Sequence, residues 1–255
     1  MKVVTDFGDV SVEVDDDAIG TVRLCRGPSN FFDTASVGDV RRALTFAAEK
    51  NARVVVLASE GKHFCAGMDF GNDKRSAPEE LYAHAAGILE TPLPIIAAVQ
   101  GSAVGGGLGL ALAADFRVAC PSTRFWANFT RLGLHHGFGI TVTLPAVVGQ
   151  QRAAEMLMTA RRVDGAEALA IGLCDRLVDE PNLAAEARRF AAEIAACAPL
   201  SVRATRETLR GDLADRVRAA TKRELEQQLL LGRTEDFKEG IRASRERREP
   251  RFLGR

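Results

Sequence analysis

The chain has no surplus of charge. Lys plus Arg and Asp plus Glu number 34 each in 255 residues. A neutral total removes the bulk attraction that draws a protein to nucleic acid or to an anionic membrane surface, so neither is expected as a partner. It has no paired pattern of cysteines. Cys25, Cys65, Cys120, Cys174 and Cys197 are odd in number, scattered and without a CxxC. They are expected to be reduced thiols of a cytoplasmic protein, with no disulfide frame. No apolar run reaches the roughly 18 residues that a membrane-spanning helix needs. The start, MKVVTDFGDVSVEVDDD, carries acids where a secretory leader needs an apolar core. No internal repeat recurs. A soluble globular protein is expected, with room for one large domain or one and a half.

What is present reads as strands first and helices last. SVEV alternates apolar and polar, and TVRLC follows it. Val40, Leu44 and Ala47 recur at helical spacing between Ser36 and about Asn51. RVVVLAS and PLPIIAAV are short and nearly all apolar, as expected of strands covered on both faces. A helix is expected from about Pro78 to Leu89, and strands at FRVAC and RFWA. From about Thr141 the pattern is helical, interrupted by one short strand at CDRLVD. The mixed charges of RASRERREPRF suit a solvated helix face. An α/β core followed by a helical tail is the fold class this order predicts.

Two loops depart from ordinary connector chemistry. After RVVVLAS comes GKHFCAGMDF, small and apolar where a solvated loop would be polar. After PLPIIAAV comes QGSAVGGGLGLALAAD, glycines that lead into a helix. Such a turn presents backbone N–H groups that have no helical partner and carry the positive end of the helix dipole. They suit a phosphate or a developing oxyanion. Both phosphate motifs fail. No lysine follows the glycines as a P-loop requires, and Leu110 stands where a dinucleotide loop needs its third glycine.

FCAGMD and GSAVGGGLGLALAADFRVA resemble the two signature loops of the enoyl-CoA hydratase/isomerase family, the crotonase superfamily. The likeness extends to ARRVDGAEALAIGLCDRLVD and TEDFKEGIRASRERREPRF, so it covers most of the chain. It implies a crotonase-type spiral of ββα units over residues 1–198. A C-terminal helical trimerisation region, 199–255, would build a homotrimer or a dimer of trimers. The implied substrate is an acyl-CoA, with coenzyme A as part of the substrate and no separate cofactor or metal. The implied oxyanion hole is made by the backbone N–H groups of Met68 and Gly106. Cys65, Ala66 and Gly67 stay small so that the CoA arm can lie against backbone, and Ala66, Gly67, Met68, Gly105 and Gly106 are the implied CoA-binding residues of the two loops. Arg26 and Arg247 fall where relatives carry basic residues near the CoA phosphates. Asp69 reads as a loop anchor.

The likeness fails where protons move. The two hydratase glutamates correspond to Gly109 and Phe129, and neither residue can carry a proton. The aspartates of other branches correspond to His136 and Gly137. His136 of the LHHGFG stretch is therefore the expected acid–base group, with His135 pointing elsewhere. A helix-capping loop histidine is the plain alternative. His63, and Glu79, Glu80, Tyr82 and His84 on the expected helix, are weaker sites. Phe125, Trp126 and Phe129 suit an apolar acyl pocket. An acyl-CoA enzyme with atypical proton transfer is expected. Decarboxylation, C–C cleavage, thioester hydrolysis and non-catalytic acyl-CoA binding remain open as alternatives.

Overall fold

The computed structural model describes residues 3–68 and 78–255. The chain opens with a meander in which β1 (Val3–Phe7), β2 (Val10–Val14) and β3 (Ile19–Leu24) pair antiparallel in turn. Along β2 buried valines alternate with half-exposed Ser11 and Glu13, as in a strand with one covered face. Asp33 then starts α1 (Thr34–Glu49). Its carboxylate accepts the Ser36 N–H at 2.8 Å, and the Ser36 hydroxyl accepts the Asp33 N–H at 2.9 Å. This reciprocal cap satisfies two N–H groups that the first helical turn leaves open.

The chain continues through β4 (Val54–Ser59), α2 (Pro78–Leu89), β5 (Ile95–Val99), β6 (Ser102–Val104) and α3 (Gly106–Ala113). Next come β7 (Phe116–Ala119), β8 (Arg124–Trp126) and a 3-10 turn at Asn128–Leu132. The helical part begins with α4 (Ile140–Val148) and α5 (Gln150–Thr159), then β9 (Arg162–Asp164), α6 (Gly165–Ala170) and β10 (Arg176–Leu177). It ends with α7 (Leu183–Ala195), α8 (Pro199–Arg210), α9 (Leu213–Leu231) and α10 (Glu235–Glu246).

Among the described residues the larger sheet runs β1-β2-β3-β4-β5-β7-β10, parallel from β3 onward. Both of its faces are covered. Val54, Val56, Ile96, Ala98 and Val118 pack beneath α7 against Ala187 and Ala191. Their neighbours Val55, Leu57, Ile95, Ala97 and Ala119 join the main core with the apolar sides of α1, α2 and α3. Double coverage is why VVVLAS and IIAAV read as unbroken apolar runs.

A second, smaller sheet has the order β6-β8-β9. β9 corrects the expectation that CDRLVD alone interrupts the helical part. Arg162–Asp164 carries a single apolar residue, Val163, so its strand character comes from antiparallel pairing to β8 and not from its own pattern. The C-terminal helices close around the body. Asp115 accepts from Arg206 of α8 at 2.9 Å and from Arg210 at 2.8 Å. α9 packs on α2 and α4, and α10 on the 3-10 turn. No helix among the described residues is long and apolar enough to cross a membrane.

Candidate active site

The ends of β4 and β5 carry the two unusual loops. The strands are parallel neighbours, so their loops leave the sheet side by side. Hydrogen bonds then join loop to loop. Phe64 N–H donates to the Gln100 carbonyl at 2.9 Å, and Cys65 N–H to that of Ser102 at 3.1 Å. Val104 N–H returns to the Cys65 carbonyl at 2.9 Å. Cys65 and Ala103 thus form a parallel bridge beyond the sheet. The fit leaves no room for side chains. A Cβ at Gly107 would collide with the Cys65 carbonyl. Gly67 has φ +99°, in the region that favours glycine, and a Cβ there would lie 3.0 Å from the Val104 carbonyl oxygen. Burial pushes the Cys65 thiol up to about 12, so at neutral pH it is a small packing group.

Met68 and Gly106 each lie three residues beyond the bridged pair Cys65 and Ala103. On the first loop, Phe32 N–H donates to the Gly67 carbonyl at 2.9 Å, and Phe32 pairs with Met68 as a parallel bridge. Alternation along extended backbone turns the Met68 N–H away from the Phe32 segment. On the second loop, Gly106 is the first residue of α3. The cap residue, Gly105, supplies no side-chain acceptor. Among the described residues, neither amide has a hydrogen-bond partner.

Both residues line one cavity of about 410 Å³. Its walls are aromatic and aliphatic: Phe31, Phe32, Phe129 and Phe138, with Leu81, Leu132 and Ile241. The Phe32 and Phe138 rings meet edge to face at 5.6 Å. Polar groups are few: Asn128, Tyr82, Gln228, and Ser244 with Arg245 from α10. No described side chain lining the cavity is a carboxylate or an imidazole.

Ala66, Gly67, Met68, Gly105 and Gly106 are brought together here as the sequence led one to expect, and Phe129 joins them. His136 does not line the cavity, although the next residue, Gly137, does. The Thr141 hydroxyl donates to Glu224 Oε1 at 2.6 Å, so it accepts from His136 Nε2–H at 2.9 Å. The His135 ring stacks on it at 4.0 Å. Arg26 is held by Asp9 at 3.2 Å and Asp33 at 2.8 Å. Arg247 is exposed at the end of α10, one turn from the cavity mouth. Phe125 is core, and the Trp126 indole donates to the Ala160 carbonyl at 2.6 Å. Asp69 lies outside the described residues. Phe31, Phe32, Asn128, Phe138, Gln228 and Arg245 carry no signal in the sequence read alone.

The family model described as enoyl-CoA hydratase/isomerase matches residues 15–255. The chain belongs to the enoyl-CoA hydratase/isomerase family. It is an enzyme of that type. It is 35% identical over 226 residues to a probable enoyl-CoA hydratase of Rhodobacter capsulatus, covering 85% of this chain and 88% of that one. It is likewise 35% identical over 240 residues to the (E)-benzylidenesuccinyl-CoA hydratase of Thauera aromatica, covering 88% and 91%. An enoyl-CoA hydratase/isomerase structure from Pseudoalteromonas atlantica superposes with a TM-score of 0.85 at 30% identity, covering 96% of this chain and 100% of that one. Within this family setting Gly109 has a physical explanation. A Cβ there would lie 2.7 Å from Phe138 Cβ and 2.8–2.9 Å from its ring atoms. The Phe138 side chain fills the space that a longer residue at 109 would occupy.

Burial and the neighbouring His135 hold His136 down to about 4, against an ordinary value near 6.5. Between those values the unfolded chain binds the proton that the folded one refuses. Stability is therefore present above pH 6.5 and is lost as the pH falls toward 4. In His136→Gln, the drop in urea midpoint between pH 7 and pH 5 should shrink. An unchanged drop contradicts a half-buried imidazole held neutral.

Proposed function

We propose that the cavity takes an acyl-CoA thioester, with the thioester oxygen between the N–H groups of Met68 and Gly106, and that the enzyme stabilises the enolate there. The observation that carries this is the pair of unpartnered amides in one apolar cavity. A thioester enolate places negative charge on a single oxygen. Donors fixed by the fold stabilise that charge without reorganising, and the apolar walls strengthen the interaction relative to bulk water. The apolar walls suit the acyl group, and Arg245 at the mouth suits a phosphate of the CoA arm. His136 enters as a positioning group. Through Thr141 and Glu224 it fixes the loop whose Gly137 and Phe138 line the cavity.

A second reading concerns the reaction. Water addition by paired carboxylates finds no such pair on the described lining. Loss of CO₂ from a carboxylated acyl-CoA yields the same enolate without a strong base, because the breaking C–C bond supplies the electron pair. This favours decarboxylation over hydration.

Two measurements test these readings. Acetoacetyl-CoA should show its near-ultraviolet enolate band on binding. Proline fits the first position of a helix and removes the donor, but a Cβ at position 106 would collide with the Phe32 ring. Phe32→Ala/Gly106→Pro is therefore compared with Phe32→Ala alone. Enolate stabilisation should fall by about 10²–10³ in the double variant, the usual loss for one such donor; equal bands in the two would contradict the hole. Malonyl-CoA and crotonyl-CoA, followed by mass, separate the reactions. Release of CO₂ supports the second reading, and rapid hydration of crotonyl-CoA defeats it.

A further inference from the structure

An enolate in this cavity needs a proton at its α-carbon, and the described lining offers few groups that hold one. Arg245 lies exposed at the mouth, and a guanidinium keeps its proton in proteins. Ser244 is an exposed alcohol, a far weaker acid than a phenol. The amides of Asn128 and Gln228 do not ionise. Tyr82 remains.

We propose that the Tyr82 hydroxyl protonates the enolate carbon, a role that rests on the acyl-CoA reading above. Tyr82 projects from α2 into the cavity that Met68 and Gly106 line, and it is 7% exposed. Its hydroxyl donates to Gln228 Oε1 at 2.7 Å. Gln228 Nε2 donates to the His135 carbonyl at 2.9 Å, which fixes the amide with its oxygen toward the phenol. Gly137 keeps the place clear, since a Cβ there would collide with Tyr82 Oη. The backbone at Gly137 is outside the left-handed region, so lack of space, and not backbone strain, bars a side chain.

The chemistry balances. The Tyr82 O–H rotates off Gln228 Oε1 toward the substrate; a C–H bond then forms at the α-carbon as the O–H bond breaks, and the electron pair stays on Oη. Water then returns a proton to the phenolate and leaves hydroxide in the solvent. Burial and the charge of Glu224 hold the phenol above its ordinary value, while the Phe138 amide and Gln228 pull it back down. It is therefore protonated at neutral pH, as a donor must be. A thioester α-carbanion is a much stronger base than phenolate, so the transfer runs downhill.

The reverse step gives the test. In D₂O the protein should catalyse exchange at C2 of butyryl-CoA, at one of the two hydrogens, with a rate that climbs steadily from neutral to alkaline pH, because the reverse step needs the Tyr82 phenolate as base. Tyr82→Phe keeps the ring packing, so it should bind butyryl-CoA within about threefold and keep the acetoacetyl-CoA enolate band. It should lose exchange by about 10²–10⁴, the range of a positioned acid–base group. Tyr82→Ala should lose exchange as well, and Tyr82→Ala/Gly137→Asp should regain part of it by placing a carboxyl in the vacated space. Tyr82→Phe exchanging at the wild-type rate overturns the proposal. So does a wild-type protein that shows the enolate band yet exchanges nothing. A wild-type protein with no enolate band fails at the amide pair instead, and the acyl-CoA reading falls before Tyr82 is reached.

Discussion

The short parallel pairing of Cys65 with Ala103 is the constraint from which the site follows. Two strands of a sheet ordinarily part company once their ladder ends. Here the loops stay joined, because Cys65 N–H reaches the Ser102 carbonyl and Val104 N–H reaches that of Cys65. The joint works only with small residues. Side chains at Gly67 or Gly107 would force the loops apart. In return, two amides from segments about forty residues apart in the chain reach one cavity, held there by the backbone hydrogen bonds between the loops, as preorganised electrostatic stabilisation requires.

A second layer of packing determines what the cavity excludes. Phe138 fills the space beside Gly109, and its ring meets Phe32 edge to face. The polar groups that remain come from outside the sheet. Tyr82 arrives on α2, Gln228 on α9, and Arg245 on α10. The C-terminal helices are therefore part of the site's wall. The buried carboxylate of Glu224 on α9 accepts the N–H groups of Gly139 and Thr141, which ties that wall to the start of α4.

Much of this was legible in the sequence, and the gaps have physical causes. VVVLAS and IIAAV announce strands because both sheet faces are buried, and the glycines of GGGLG announce close backbone approach. α2 falls at Pro78–Leu89, as its periodicity predicts. β6 and β9 are absent from the sequence reading because each owes its existence to its partners and carries almost no pattern of its own, whereas the equally short β8 is marked by its aromatic pair Phe125 and Trp126. Within the site, Met68 and Gly106 are implied as donors by the resemblance of their two loops, and the fold brings both to one cavity. His136 is expected among the reacting groups because it falls where other branches of the family carry an aspartate. Neighbours along an irregular segment point different ways, and its imidazole turns to Thr141. Tyr82 and Gln228 meet across 146 residues, a pairing that only the folded chain brings about.

The proposed convergence of the two amides on one oxygen can be tested directly. Butyryl-CoA labelled with ¹³C at the thioester carbonyl, bound to the wild-type protein, is followed by infrared difference spectroscopy. Two strong donors on that oxygen weaken the C=O bond, so the stretch should move to a lower wavenumber than in water. A bound thioester whose stretch stays at or above its value in water would show that the amides of Met68 and Gly106 do not share that atom.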